Sequence, residues 1–175
     1  MVFKVLGRKE AQEYQHNNHE LVSAIISISD SDKNNIVFNK NTYNNIRSTL
    51  LLKFDDVEEH SHAKNEIVIS DNDAINIVNF VSANKDKVDC FVVNCEAGIS
   101  RSAGCCAAIM LALTGDDFAI FDNPSKCPNM TVYRKVLKAF LDAGYFSNDS
   151  NNISEEKISE KENHNICIWK EANDI

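Results

Sequence analysis

The sequence predicts an α/β fold, a three-layer type of sandwich in which a central, mostly parallel sheet is flanked by helices. Three features predict it. Apolar runs of strand length alternate with stretches of helical period. Residues 88–93, Val-Asp-Cys-Phe-Val-Val, are nearly all apolar, as in strands covered on both faces. That run leads through a short loop into an apolar helix, the order from which parallel sheets are built.

Taken in chain order, residues 3–6 read as a short strand and 24–28 as a second, rich in β-branched residues and closed by Ser29-Asp30-Ser31-Asp32. Residues 36–38 and 48–54 are further strand candidates, the latter running into the acidic cluster Asp55-Asp56-Val57-Glu58-Glu59. From Ser70 the period changes. Ala74, Ile77, Val78 and Val81 fall at i, i+3, i+4 and i+7, and Ser70 and Asp73 have the spacing of a capping box, so a helix starts there. The run 88–93 should be central. Residues 103–113 form a helix that is apolar almost all round, ended by Thr114-Gly115. A loop with Pro124 and Pro128 precedes an amphipathic helix over 131–143, stopped by Gly144, with Val132, Val136, Leu137 and Phe140 as its apolar stripe.

At 175 residues, 43% of them hydrophobic, the chain suits one domain, placed at 1–146. Residues 147–175 are rich in Asn, Ser, Glu and Lys and are expected to be a flexible tail, with Trp169 as its docking candidate. The first seven residues are too short and too soon charged for a signal peptide, and no long apolar stretch follows, so the expectation is a soluble, cytoplasmic protein. A formal charge of −8 without a basic patch argues against nucleic acid or anionic membrane as partner. The six cysteines, at 90, 95, 105, 106, 127 and 167, lack paired C-x-x-C spacing and sit mostly among apolar neighbours, as free thiols do.

The chemistry is concentrated between the central strand and the apolar helix, in Asn94-Cys95-Glu96-Ala97-Gly98-Ile99-Ser100-Arg101-Ser102. A loop there lies at a helix N-terminus, where main-chain N–H groups lack intrahelical partners and the helix dipole adds positive potential. If Glu96, Ala97, Gly98, Ile99, Ser100 and Arg101 curl round one centre, their amides converge on three phosphate oxygens. Gly98 permits the curl. Cys95 at its mouth is the candidate nucleophile, favoured as thiolate by the positive surroundings. Arg101 offers a planar fork to two oxygens, which lysine cannot match. Ser102 can donate a hydrogen bond to the sulfur when it leaves.

This Cys-x5-Arg-Ser pattern, with Gly inside it, resembles the signature of the protein tyrosine and dual-specificity phosphatases. Residues 3–6, Leu52-Lys53-Phe54-Asp55-Asp56-Val57 and Pro128-Asn129-Met130-Thr131-Val132-Tyr133-Arg134 are similar to segments of small bacterial and phage dual-specificity-like members, so the resemblance spans about 3–145. It implies a phosphocysteine mechanism without cofactor or metal, acting on phosphotyrosine and/or phosphoserine/threonine in proteins or peptides. It also implies an Asp on an upstream loop as general acid: Asp56, with Asp55 as the alternative. Glu96, and the lack of Lys within the loop, argue against polyphosphorylated lipids or inositols.

The chain departs from the family at Asn94, where His is usual. An Asn can donate a hydrogen bond but cannot carry charge, and the alternative function is therefore a phosphate-binding protein without efficient turnover. Rhodanese-like sulfur or arsenate chemistry also uses a cysteine loop. Cys90, Cys105 and Cys106 read as small core residues rather than redox partners of Cys95. His16, His19, His60, His62 and His164 lie among polar residues and are not expected to bind metal.

Overall fold

Apolar side chains, many of them β-branched, fit the pleated, covered surface of the four strands of the sheet. These are β1 (Val2–Leu6), β2 (Ser23–Ser29), β3 (Ile46–Lys53) and β4 (Cys90–Asn94). Between and after them come α1 (Arg8–Tyr14), α2 (Asp71–Asn84), α3 (Arg101–Thr114), α4 (Phe118–Phe121), α5 (Met130–Asp142) and, at residues 157–164, α6. The computed structural model describes residues 1–16, 20–38, 45–58, 65–146 and 157–164. His19, His60, His62, Glu59 and Trp169 lie outside them.

The sheet order is β1-β4-β2-β3 and every pairing is parallel. All four strands therefore deliver their C-terminal ends to one edge. β4, expected to be central, is an interior strand with all five residues buried, and β2 beside it is buried throughout. The main core lies on the face covered by α2, α3 and α5 and includes Ile26, Phe91, Val93, Ile77, Ile109, Val136 and Phe140. A smaller cluster of Tyr14, Ile25, Ile46, Cys90 and Val92 lies on the other face under α1, which completes three layers.

The helices end as their residues dictate. Ser70 caps α2 by accepting from the Asp73 amide at 3.1 Å, and Asp73 answers with a 3.0 Å bond from the Ser70 amide. α3 begins at Arg101, two residues before its apolar run, and closes on Gly115 in the left-handed conformation.

Three readings change. Residues 36–38 have no regular structure and join no strand: Ile36 is buried, whereas Val37 is 83% exposed. α1 was not foreseen, because only Ala11 and Tyr14 of its seven residues are buried, too few to set a period. The third concerns the polar tail, where 157–164 form a helix docked on α4 and α5 rather than a free segment. Its apolar content is little more than Ile158, which is buried in the core. The rest of the docking is electrostatic. Lys161 Nζ reaches both oxygens of the buried Asp117 at 2.7 and 2.9 Å, Tyr133 Oη donates to the same carboxylate at 2.6 Å, and Glu162 pairs with Arg134 at 3.2 Å.

Lys161→Ala leaves the Asp117 carboxylate with the tyrosine hydroxyl as its remaining partner of these two. The expected outcome is a loss of about 1–3 kcal/mol, read as a lower midpoint in urea unfolding, with Lys161→Arg recovering part of it.

Candidate active site

Residues 95–100 leave the C-terminal end of β4 and turn into the first residue of α3. The turn is shaped from outside, through its carbonyls. Glu96 O accepts from the Arg8 amide at 3.0 Å, Gly98 O from Lys126 Nζ at 2.7 Å, Ile99 O from the Cys127 amide at 3.0 Å, and Ser100 O from the Asn129 amide at 3.1 Å. With the carbonyls drawn outward, the amides are left for the interior of the loop. The Gly98 N–H points at Cys95 Sγ, 3.3 Å away. Among the described residues, the amides of Glu96, Ala97, Ile99, Ser100 and Arg101 have no protein acceptor.

Gly98 makes the curl possible in two ways. Its φ is +74°, and a Cβ there would sit 2.4 Å from the Gly7 nitrogen and 2.6 Å from the Leu6 carbonyl carbon, at the end of β1. Cys95 is 1% exposed, and its sulfur lies 3.1 Å from the Ser102 hydroxyl on the first turn of α3. Two further cysteines lie deep in the core, on α3. Burial pushes the Cys106 thiol up to about 12 and the Cys105 thiol well above its ordinary range, so both stay protonated in the core.

Arg101 is 3% exposed, and its fork is fixed by residues that follow two strands, β2 and β3. Nη1 donates to the Phe54 carbonyl at 2.8 Å, and Nη2 meets Asp30 Oδ1 at 2.6 Å. Nε lies 3.8 Å from Asp56 Oδ2 and has no hydrogen-bond partner in the described structure. A buried donor without a partner, beside a ring of free amides, is a place for an anion. Burial pulls the Asp30 carboxyl upward, but hydrogen bonds from Lys33 and Arg101, with their charges, outweigh it and hold it below the usual carboxylate range. Lys33 also bridges to Glu96 at 3.3 Å.

The two neighbouring aspartates are placed differently. Asp55 accepts from the Ser31 amide and hydroxyl at 2.9 and 2.7 Å and from the Ile67 amide at 2.8 Å. Burial opposes its ionisation, yet these bonds and the Arg101 charge hold it below its ordinary range. Asp56 instead turns to the loop: Oδ1 accepts from Ser100 Oγ at 2.7 Å and from Asn129 Nδ2 at 3.0 Å. Ser100 is the N-cap of α3 but makes no side-chain cap, because its hydroxyl is given to Asp56.

Asn94 is buried beside this loop, and its Oδ1 has no partner among the described residues. The Oγ of Ser27, its register partner on β2, is likewise unpaired. The sequence reading did not single out Asp30, Lys126 or the Phe54 carbonyl as site groups. Asp30 could have been suspected from its place at the C-terminal end of a strand next to the central one, where α/β sheets gather their sites. Lys126 acts through a carbonyl and leaves no spacing signal.

Fold and loop together define an α/β protein with a buried cysteine set beside main-chain amides that lack protein acceptors. No family model matches the chain, and no curated protein matches it in sequence. Among solved structures it is similar to the crystal structure of PTPMT1 in complex with PI(5)P, at 16% identity and a TM-score of 0.38, over 86% of this chain and 81% of that one.

Gly98→Ala must accommodate a Cβ against main-chain atoms of Leu6 and Gly7 at positive φ. It is expected to lower thermal stability and to weaken tungstate binding in calorimetry at least tenfold, about the 1–3 kcal/mol of an overpacked site.

Proposed function

We propose that this chain is a cysteine-dependent phosphatase that hydrolyses phosphomonoesters through a phosphocysteine intermediate. The observation that carries the reading is the loop itself: carbonyls bonded outward, amides without protein acceptors, and a thiol and an arginine Nε beside them. Such a cradle fits a tetrahedral dianion and stabilises charge as it develops.

The reaction runs in two in-line steps. The Cys95 thiolate attacks phosphorus, forming the S–P bond as the ester P–O bond breaks, and Asp56 gives its proton to the leaving oxygen. The loop amides and Arg101 hold the equatorial oxygens throughout. Water then attacks the phosphocysteine, Asp56 takes its proton, and the S–P bond breaks with the electron pair returning to sulfur. Ser102 Oγ, 3.1 Å from that sulfur, stabilises the thiolate as it leaves. Geometry supports Asp56 over Asp55, since Asp55 is spent on Ser31 and Ile67 whereas Asp56 faces the loop. The resemblance of 94–104 to tyrosine and dual-specificity phosphatases supports phosphotyrosine and/or phosphoserine/threonine proteins as substrates.

The alternative, phosphate binding without turnover, is favoured by one observation, the unpaired Asn94 Oδ1 behind the nucleophile. Turnover of p-nitrophenyl phosphate decides between them. Hydrolysis that is abolished in Cys95→Ser, while vanadate still binds the variant, is expected; a wild type that binds vanadate without hydrolysing the ester would leave the binding reading instead.

Asp56→Asn is expected to lower kcat for phenyl phosphate, whose leaving group needs a proton, by about 10²–10⁴. The loss on p-nitrophenyl phosphate is expected to be much smaller. Asp55→Asn should show no such dependence on the leaving group.

A further inference from the structure

The mechanism leaves open what holds Asp56 over the loop, since the acid stands on a segment with no regular structure after β3. The answer lies 73 residues away in sequence, at the start of α5. Asn129 is 3% exposed, and its main-chain and side-chain polar groups are all engaged. Its amide donates to Ser100 O at 3.1 Å and its carbonyl accepts from the Tyr133 amide at 3.0 Å. Its Oδ1 caps α5 by accepting from the Val132 amide at 2.9 Å. That bond fixes the orientation of the side chain, because the oxygen must face the helix and the NH₂ must therefore face the acid. The NH₂ donates to Asp56 Oδ1 at 3.0 Å and to the Val57 carbonyl at 3.2 Å.

The backbone of Asn129 is held as firmly as its side chain. Gly104 on α3 passes so close that a Cβ there would lie 2.4 Å from Asn129 O. Glu58 adds a second tie between the same segments, accepting from the Met130 and Thr131 amides, both at 3.0 Å. Asp56 Oδ1 is thus occupied by Asn129 and Ser100, both of which touch the cradle, and Oδ2 is left facing Arg101 Nε at 3.8 Å. One carboxylate oxygen anchors, and the other is turned toward the cradle.

We propose that Asn129 is the positioning residue of the leaving-group acid: it fixes Asp56 to the same helix start that shapes the phosphate cradle, so that acid and cradle stand in one register. The proposal rests on the phosphatase reading. Asn129 touches no substrate and acts through Asp56. A merely structural Asn129 would slow all esters alike, whereas a positioning Asn129 is felt in proportion to the leaving group's need for a proton.

The test compares kcat/KM for phenyl phosphate and p-nitrophenyl phosphate in the full chain, in wild type, Asn129→Ser, Asn129→Asp, Asp56→Asn and the Asp56→Asn/Asn129→Ser double variant. Ser and Asp both keep a good N-cap for α5, so the helix start survives while the amide donor is lost. Asn129→Ser is expected to lose about tenfold more on phenyl phosphate than on p-nitrophenyl phosphate, a fraction of the full acid contribution. Asn129→Asp, which sets a second carboxylate against Asp56, should lose more. In the Asp56→Asn background the same change should add no further leaving-group dependence, because the two residues act as one unit. Equal losses on both esters, or a selective loss that persists without Asp56, would overturn the proposal while leaving the phosphatase reading intact. A wild type that hydrolyses neither ester, or hydrolysis that survives Cys95→Ser, removes the phosphatase reading and this proposal with it.

Discussion

The outward turn of four carbonyls governs the site. Main-chain groups in a loop must find partners, and here the acceptors find theirs behind the loop, in Arg8, Lys126, Cys127 and Asn129. The donors are thereby presented on the inner side without any side chain having to point there. This explains how Glu96, an acidic residue, can stand next to the thiol: its carboxylate is paired with Lys33 and Arg8, and its amide is what remains on the inner side of the loop. Between Cys95 and Arg101, Ser100 contributes a hydroxyl that holds Asp56, and Gly98 contributes the absence of a side chain.

Arg101 shows the same economy of position. A guanidinium buried this deeply is tolerable where its charge and donors are met. Asp30 supplies the charge at 2.6 Å and Phe54 O an acceptor at 2.8 Å, one from the end of β2 and one from beyond β3. Two of its nitrogens are committed to the scaffold, so the fork is held in a single orientation. The side-chain entropy that a free arginine loses on binding is thus already spent in folding.

The parts of this molecule legible in its sequence are those whose physics is local. The apolar run that becomes β4, the Ser70–Asp73 box and Gly115 each announce their structure within a few residues, and Cys95, Gly98, Arg101 and Ser102 fall within one turn of chain. What escaped is non-local. α6 docks by Lys161 entering a pocket made by Asp117 and Tyr133, and neither residue is marked by its neighbours as a socket. α1 is too short to show a period, and 36–38 has strand-like residues but no strand to pair with. The choice between Asp55 and Asp56 is of the same kind, since adjacent and identical side chains are separated by partners 24 and 44 residues away.

A sheet whose strands all run one way gathers its working parts from everywhere along the chain. Leu6 and Gly7 brace the loop from the first strand, Asp30 and Asp56 come from the second and third, Cys95 from the fourth, and Asn129 arrives after them all. Synthesis from the N-terminus makes Leu6, Asp30 and Asp56 before Cys95 and Asn129 after it, so the bonds from Asn129 to Ser100 and Asp56 can form only when the segment that starts α5 has folded back onto α3. A nascent chain that has not yet reached α5 therefore lacks both the amide that holds Ser100 O and the side chain that holds Asp56.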